Sequence, residues 1–209
     1  MKKYLVFCLS IIMIVGTSVF AFAGNISGLD NHIDMFKEAE AIKIVLNSDK
    51  VNPSYKIAEI YGSPVYEDEF ILRYRKAVAS QSSTPYEDAV ESLTKIKVDN
   101  SIAENNGILP TEQDVENYTN EQRKLYENEI DAEMKDSIKH FIDLTGMSED
   151  EYWGVYKLKE NKEYLTCINV ESYLYDSKVI QAYTKSSSFE LIDENFSKEN
   201  IDTYLNSII

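Results

Sequence analysis

Glycine and proline are rare in this chain, and between them apolar side chains recur at helical spacing. The 209 residues include only 7 Gly and 4 Pro. From Val115 to Phe141 there is neither, and the apolar residues of that stretch recur at spacings that favour a helix. A β-sandwich or barrel has many tight turns, which require more glycine and proline. The sequence therefore predicts a mainly α protein, an extended array of several helices.

Capping signals mark where several of these helices start and end. Thr84-Pro85-Tyr86-Glu87 combines a cap residue, a proline at the first helical position and an acid three residues after the cap. Asn106-Gly107-Ile108 is typical of a left-handed helix end, and Pro110-Thr111-Glu112 starts a new helix at once. Ser148 to Glu151 forms a further capping box. These signals predict separate helices joined by short connections.

Polar runs predict where the longer helices are interrupted. We expect a break in the acidic stretch Glu127 to Asp136 and a weak point in the polar run Lys159 to Glu163. The helix containing that second run is expected to end near Tyr183, and Ser186-Ser187-Ser188 is interpreted as a linker. Ser197 is then expected to cap a last helix that continues toward the C-terminus.

One segment alternates apolar and polar residues instead. Residues 57–66 do so on both sides of Gly62-Ser63-Pro64, which predicts a short β-hairpin. Glu67-Asp68-Glu69 then places acids in the first turn of a helix, where the helix dipole favours them. A modest helical pattern, Leu29 to Val45, precedes the hairpin, and Phe189 to Ile192 is predicted to be a short extended piece.

The N-terminus has the pattern of an export signal. Lys2-Lys3 precedes an apolar run from Tyr4 to Val15, and the segment ends in Ala21-Phe22-Ala23. This pattern predicts a bacterial protein that is exported, with cleavage between Ala23 and Gly24. The alternative is an uncleaved anchor, because Leu5 to Ala23 is nearly long enough to span a bilayer. An anchored form would work at the membrane face.

Charge and composition exclude several functions. Asp and Glu number 36 against 21 Lys and Arg, so the formal charge is −15, and a protein that neutralises nucleic-acid phosphates needs the opposite balance. After cleavage one cysteine remains, Cys167, so neither an internal disulfide nor a thiolate metal site is expected. Its apolar neighbours predict that Cys167 packs as a small hydrophobic residue.

No common catalytic pattern is present in the sequence. His32 and His140 lie in different predicted helices and outside any metal-binding motif, and the chain has no nucleophile elbow, phosphate loop or dinucleotide fingerprint. Asp30 to Asp34 does not continue into a calcium loop. We therefore predict no catalytic, cofactor-binding or metal-binding residue. The abundant carboxylates are interpreted as the solvated faces of helices.

Three segments resemble the SurA/PrsA-like chaperone domain, in the order of that family. The segment Ile57 to Phe70 resembles its opening strand, turn and helix, although Tyr61 stands where the family usually has Asn and Val65 where it has Ile. The segment Glu91 to Val115 looks like the family's second helix, its Gly-Ile stop and its restart. Gly146 to Trp153 is similar to its Gly-Leu-Ser-x-Glu-Glu-Tyr element.

The resemblance implies a helical domain of the trigger factor/SurA peptide-binding type over residues 55–185. An N-terminal helical segment over 24–54 would precede it, and a linker with a C-terminal helix over 186–209 would pack back on it. Many members insert a parvulin prolyl isomerase domain before that helix. Here only Lys185 to Asn195 separates the two parts, so the isomerase activity is not carried over.

The predicted function is therefore that of an exported, ATP-independent chaperone that binds unfolded or partly folded polypeptides without catalysis. Two alternatives remain: an envelope or surface protein with one dedicated partner, and a prolyl isomerase or foldase. Tyrosine combines a large apolar surface with a polar tip, which suits adaptable binding surfaces. We predict that a cleft is lined near the junction of the two longest helices by Tyr118, Leu125, Tyr152, Trp153 and Tyr156. Core packing is the competing interpretation for each of them.

Overall fold

A computed structural model describes residues 35–47, 49–176 and 189–208, and the mainly α prediction is confirmed. In chain order the elements are α1 (Met35–Asn47), β1 (Lys56–Ile60), β2 (Ser63–Tyr66), α2 (Glu67–Ala79), α3 (Pro85–Asn106), α4 (Glu112–Asn128), α5 (Ala132–Thr145), α6 (Glu149–Glu151), a π-helical turn (Tyr152–Tyr156), α7 (Lys157–Asp176), β3 (Phe189–Leu191), a 3₁₀ turn (Glu194–Phe196) and α8 (Ile201–Ile208). The expected cleavage residues Ala23 and Gly24 and the expected linker at 186–188 lie outside the described residues. None of the described helices has the length and apolar character needed to cross a bilayer.

The capping signals act largely as predicted. Gly107 ends α3 in the left-handed conformation, and the Ile108 N–H donates to the carbonyl of Ala103. Thr111 and Ser148 form reciprocal capping boxes with Asp114 and Glu151. Thr84 differs, because its side chain caps no backbone N–H at the start of α3. The proline that follows it removes one of the N–H groups that lack an intrahelical acceptor at a helix start, and its fixed φ favours the first helical position.

Gly107 provides a test of the left-handed helix end. Its φ is +64°, and a Cβ added there would meet no atom within 4 Å. Gly107→Ala is therefore expected to lower the free energy of unfolding by about 1–2 kcal/mol through backbone strain alone. The matched control is Gly154→Ala in the π-helical turn, where a Cβ is equally unhindered and a gain of about 0.5 kcal/mol is expected. Equal urea midpoints for the two variants would contradict this assignment.

Of the two predicted helix interruptions, one is confirmed and one is wrong. α4 ends at Asn128 and α5 starts at Ala132, inside the predicted acidic break, with the Asp131 side chain accepting from the Met134 N–H. The run Lys159 to Glu163 does not interrupt α7. Glu160 and Asn161 in that run are turned inward and paired with buried side chains, so polarity there does not mark exposure.

The predicted hairpin forms, and a third strand joins it. Tyr61 and Gly62 both have positive φ in the turn between β1 and β2. β3 pairs antiparallel with the other edge of β1, with Ala58 opposite Leu191, so the strand order is β2-β1-β3. The extended character of residues 189–191 is confirmed. Their pairing partner lies about 130 positions away in sequence and has no local signature.

The buried apolar residues form two clusters. The first, called the sheet core, joins the sheet to the end of α1 and to α2, α3, the 3₁₀ turn and α8, and its large members include Ile57, Ile60, Val65, Phe70, Ile71, Tyr74, Leu93, Phe196, Ile201 and Leu205. The second, called the aromatic core, joins α1, α4, α5 and the π-helical turn, and it consists of Ala39, Ile42, Tyr126, Ile138, Phe141, Ile142, Tyr152, Trp153 and Tyr156. Leu72 of α2 packs against both.

The C-terminal helix packs on α2. Ile201 and Leu205 enter the sheet core, and the Tyr74 hydroxyl donates to Asp202 at 2.7 Å. The Tyr204 hydroxyl also donates to the carboxylate of Glu67 at the start of α2. These contacts join the C-terminal helix to α2 through the sheet core.

Candidate functional site

Four of the five predicted cleft residues lie together, but they do not line an open cleft. Tyr152, Trp153 and Tyr156 are 0%, 2% and 8% exposed, and Leu125 is partly buried against the same aromatic core. Tyr118 is separate: it is half-buried and stacks on Tyr164 of α7 with ring centroids 5.6 Å apart. In this structure the three central rings are core side chains, because α1, α4 and α5 contribute apolar residues to the same cluster.

A group of buried charges borders the aromatic core, and sequence reasoning missed it. The Lys76 ammonium lies 2.8 Å from Glu160 Oε1 and 3.2 Å from Glu38 Oε1. Lys157 lies 3.1 Å from the other oxygen of Glu160. The Tyr156 hydroxyl accepts from Lys76 at 3.1 Å and donates to Glu160 at 2.8 Å. We call Glu38, Lys76, Tyr156, Lys157 and Glu160 the ionic cluster, and all five side chains are buried.

Three helices and the π-helical turn bring these residues together. Glu38 lies in the first turn of α1, Lys76 in the last turn of α2, and Lys157 and Glu160 one turn apart in α7. Arg73, one turn before Lys76, pairs with Glu163 one turn along α7. α2 and α7 are therefore joined by two successive ion pairs. These pairs fix the register of the helices as well as their contact.

One sequence signal could have revealed part of this cluster. Trp153, Lys157 and Asn161 are spaced four residues apart, so they share a helix face that begins with a large apolar ring. Asn161 donates from its amide to Thr119 Oγ1 and Gln122 Oε1 of α4, both at 2.8 Å. Polar residues on such a face require buried partners. The identity of those partners, far away in sequence, has no comparable signal.

The electrostatics hold the ionic cluster in one charge state. Burial by itself lowers the pKa of Lys76, but attraction to Glu160, Tyr156 and Glu38 outweighs it, and the net pKa is well above its ordinary value. Burial by itself raises the pKa of Glu160, but Lys76 and Lys157 outweigh it and depress that pKa. Burial raises the pKa of Tyr152 and Tyr156. At neutral pH the ammonium and carboxylate are therefore charged and the phenols protonated.

This arrangement connects helices, whereas acid–base catalysis requires a group that titrates near the working pH and reaches a substrate. Here the pKa values of Lys76 and Glu160 move away from neutrality in opposite directions, and the side chains are buried. Within residues 35–47, 49–176 and 189–208, no group of three or more His, Cys, Asp or Glu side chains is arranged to hold a metal ion.

Cys167 departs from the prediction that it packs as a small hydrophobic residue. It is only partly buried on α7, and its sulfur accepts a hydrogen bond from the Lys95 ammonium at 3.0 Å. Burial raises the pKa of the thiol to about 11, although Lys95 opposes that shift. The thiol is therefore protonated at neutral pH, and a protonated thiol is a poor nucleophile.

The depressed pKa of Glu160 predicts acid sensitivity. The unfolded side chain has an ordinary pKa of 4.5 and the folded one a lower value, so its contribution to stability is present above pH 4.5 and is lost as the pH falls toward the folded pKa. We expect the urea midpoint to fall between pH 5 and about pH 3. In Glu160→Gln the urea midpoint should fall less over this pH range. In Glu121→Gln, which changes an exposed residue of α4, the midpoint should fall as it does in the wild type. A Glu160→Gln profile parallel to that of the wild type would contradict the assignment.

Comparisons with known proteins do not add a relative to this description. No protein-family model, no curated protein and no solved structure matches the chain. We therefore infer the function of this protein from its residues, its charge and its fold.

Proposed function

We propose that this protein is an exported, ATP-independent chaperone that holds unfolded or partly folded exported polypeptides without catalysing a reaction on them. The observation that carries the proposal is the occurrence, in one order, of three segments that resemble the SurA/PrsA-like chaperone domain. They correspond here to the β1–β2 hairpin with α2, to the α3 end with the α4 start, and to the capping box of α6. Export, which the N-terminal pattern predicts, would bring such a protein to the compartment that exported polypeptides enter.

The packing of the C-terminal segment also supports the proposal. The resemblance implies that the C-terminal helix packs back on the helical domain, and α8 packs on α2 while β3 extends the hairpin sheet. The parvulin domain that many members of that family carry would lie between α7 and β3. Only 12 residues, 177–188, separate those elements, which is too few for such a domain. We therefore propose peptide holding without prolyl isomerisation.

Charge and exposed apolar groups indicate what kind of client fits. The formal charge of −15 attracts basic chains over long range and keeps a loaded complex soluble. Tyr61, Val155 and Tyr175 are large apolar side chains with exposed fractions of 61%, 69% and 85%. They lie at the hairpin turn, in the π-helical turn and near the end of α7, so they provide separate contacts and no single site.

The test uses residues 24–209, which include every described residue, with two chemically unfolded clients of similar size, one basic and one acidic. We expect near-stoichiometric suppression of light scattering when the clients are diluted into buffer, stronger for the basic client. This difference should nearly vanish at about 1 M salt, where the screening length is roughly 3 Å. A folded protein of matched charge should not bind.

Other outcomes separate the alternatives. No suppression across several clients, together with saturable binding to one envelope protein, would replace the proposal with a dedicated partner. Accelerated cis–trans isomerisation in a protease-coupled proline assay would establish an enzyme, since the uncatalysed reaction takes roughly 10–100 s and is easily followed.

A further inference from the structure

The helix α1 contributes to both cores at once. Ala39 and Ile42 belong to the aromatic core, whereas Val45, one turn further on, belongs to the sheet core. The helix packs against α2 and α5. After α1 the chain returns to the sheet core at Val51. The C-terminal end of α1 is thus anchored in a different cluster from the one its N-terminal half covers.

The buried face of α1 has a simple pattern. Its members occupy positions n, n+1, n+3, n+4 and n+7, which lie on one side of a helix: Glu38, Ala39, Ala41, Ile42 and Val45. The neighbouring Glu40 is exposed. The carboxylate of Glu38 reaches Lys76 at 3.2 Å, so α1 presents one acid, two alanines and two larger aliphatic residues to the rest of the protein. This is the way an amphipathic helix fills a groove.

The walls of that groove hold together without α1. Tyr152 contacts Phe141, Trp153 and Tyr156 with ring centroids 6.2, 5.2 and 5.8 Å apart, and Tyr126 contacts Trp153 at 5.6 Å. These rings come from α4, α5 and the π-helical turn. We call this surface of the aromatic core, together with Lys76, the aromatic groove.

Lys76 also retains a partner when α1 leaves. It contacts Glu160 at 2.8 Å as well as Glu38 at 3.2 Å, so removal of Glu38 does not leave a buried cation unpaired. An unpaired buried charge is the usual large cost of breaking such a contact. α1 itself has 13 residues, a length at which a helix depends on packing for its stability. Its contribution to the aromatic core is only one alanine and one isoleucine.

We propose that the N-terminal half of α1, residues 35–42, is a removable cap on the aromatic groove, and that a helical segment of a client replaces it there. The client segment has the chemistry of α1: a carboxylate that pairs with Lys76, a small residue next to it and aliphatic residues four and seven positions after the carboxylate. This inference rests on the proposed function and gives it a site. It makes Tyr152, Trp153 and Tyr156, which are buried in the capped form, the client contacts of the open form.

The experiment uses Trp153, the only tryptophan in the chain, as the reporter. The probe is a synthetic peptide of residues 35–47, which contains no tryptophan, titrated while the Trp153 emission is recorded. Glu38→Gln weakens the intramolecular contact, frees more of the groove and should therefore lower the apparent Kd of the peptide about fivefold or more relative to wild type. Glu40→Gln, the same change on the exposed face of α1, should leave that Kd unchanged.

A peptide with reversed charge and hydrogen exchange on the wild-type protein test the removable cap independently. A peptide with the Glu38→Lys change should bind about tenfold more weakly, because it brings a second cation to Lys76. Hydrogen exchange on the wild-type protein needs no variant: amides of residues 37–42 should exchange about tenfold faster than those at the centre of α2. Equal protection of α1 and α2, or equal peptide affinity of the Glu38→Gln and Glu40→Gln proteins, would overturn the removable cap.

A competition experiment separates this inference from the proposed function. Excess peptide of residues 35–47 should abolish the suppression of client aggregation by the wild-type protein. Suppression that persists with the peptide bound would overturn the aromatic groove as the client site and leave the chaperone function standing. If the peptide binds but neither the wild-type protein nor the Glu38→Gln protein suppresses the aggregation of any client, the chaperone function is overturned. The proposal that a client occupies the aromatic groove then falls with it.

Discussion

Replacing Lys76 with methionine is expected to lower the free energy of unfolding by about 3–5 kcal/mol, the range for removing one partner of a buried ion pair. Methionine retains most of the apolar stem and removes the charge between Glu38 and Glu160. Both carboxylates are buried; Glu38 loses its contact with Lys76, and Glu160 retains only Lys157 as a cation, at 3.1 Å. Urea unfolding followed by far-ultraviolet circular dichroism at neutral pH measures the loss.

A surface lysine and a double variant complete this test. Lys198→Met removes an ion pair with Glu87 in which both side chains are exposed, and it should change stability by less than about 0.5 kcal/mol. Combining Lys76→Met with Glu38→Gln should cost less than the sum of the two single changes, because each single change already removes the contact between the two side chains. Strict additivity would show that the two side chains do not interact.

Replacing Phe70 with alanine is expected to lower the free energy of unfolding by about 3–5 kcal/mol, since it opens a cavity in the sheet core. Phe70 is fully buried and contacts four rings, those of Tyr74, Tyr86, Phe189 and Phe196, with centroids 5.5 to 6.3 Å apart. Two of these rings belong to the C-terminal segment. Limited proteolysis of Phe70→Ala should therefore cut residues 189–208 sooner than it cuts α4 or α5.

The control for Phe70 is an aromatic residue on the surface. Tyr61 is 61% exposed at the hairpin turn, and Tyr61→Ala should change the unfolding free energy by no more than about 0.5 kcal/mol. If Phe70→Ala costs less than about 1 kcal/mol, the surrounding rings have closed the cavity. In that case the sheet core does not depend on one central side chain for holding the C-terminal segment.

Local chemistry explains why the secondary structure was largely predictable. A capping box such as Ser148 with Glu151, or a glycine stop such as Gly107, lies within a few residues of the helix end that it determines. The hairpin at 57–66 likewise depends on its own alternation and turn. The irregular π-helical turn at Tyr152–Tyr156 had no such local signal. The polar run at Lys159 to Glu163 does not weaken α7, because two of its polar side chains have buried partners on other helices.

The candidate site was predictable only in part. Their position near the junction of two long helices grouped Tyr152, Trp153 and Tyr156 in the prediction, and the three rings share one core. Spacing along one helix cannot reveal which other helix covers it, so the burial of these rings was decided by α1, α4 and α5. The pairing of Lys76 with two carboxylates from α1 and α7 was invisible for the same reason.

The sequence by itself thus determined the elements of this protein: the helix ends, the hairpin, the break between α4 and α5, and an acidic chain with an export pattern. Only the tertiary structure decided that β3 completes the sheet beside β1, that α8 packs on α2, and that α1 covers the aromatic core. Helix ends are set by hydrogen bonds between near neighbours. These long-range pairings depend on which apolar faces and buried charges come into contact once the chain has folded. A local sequence pattern does not specify a partner that lies far away in the chain.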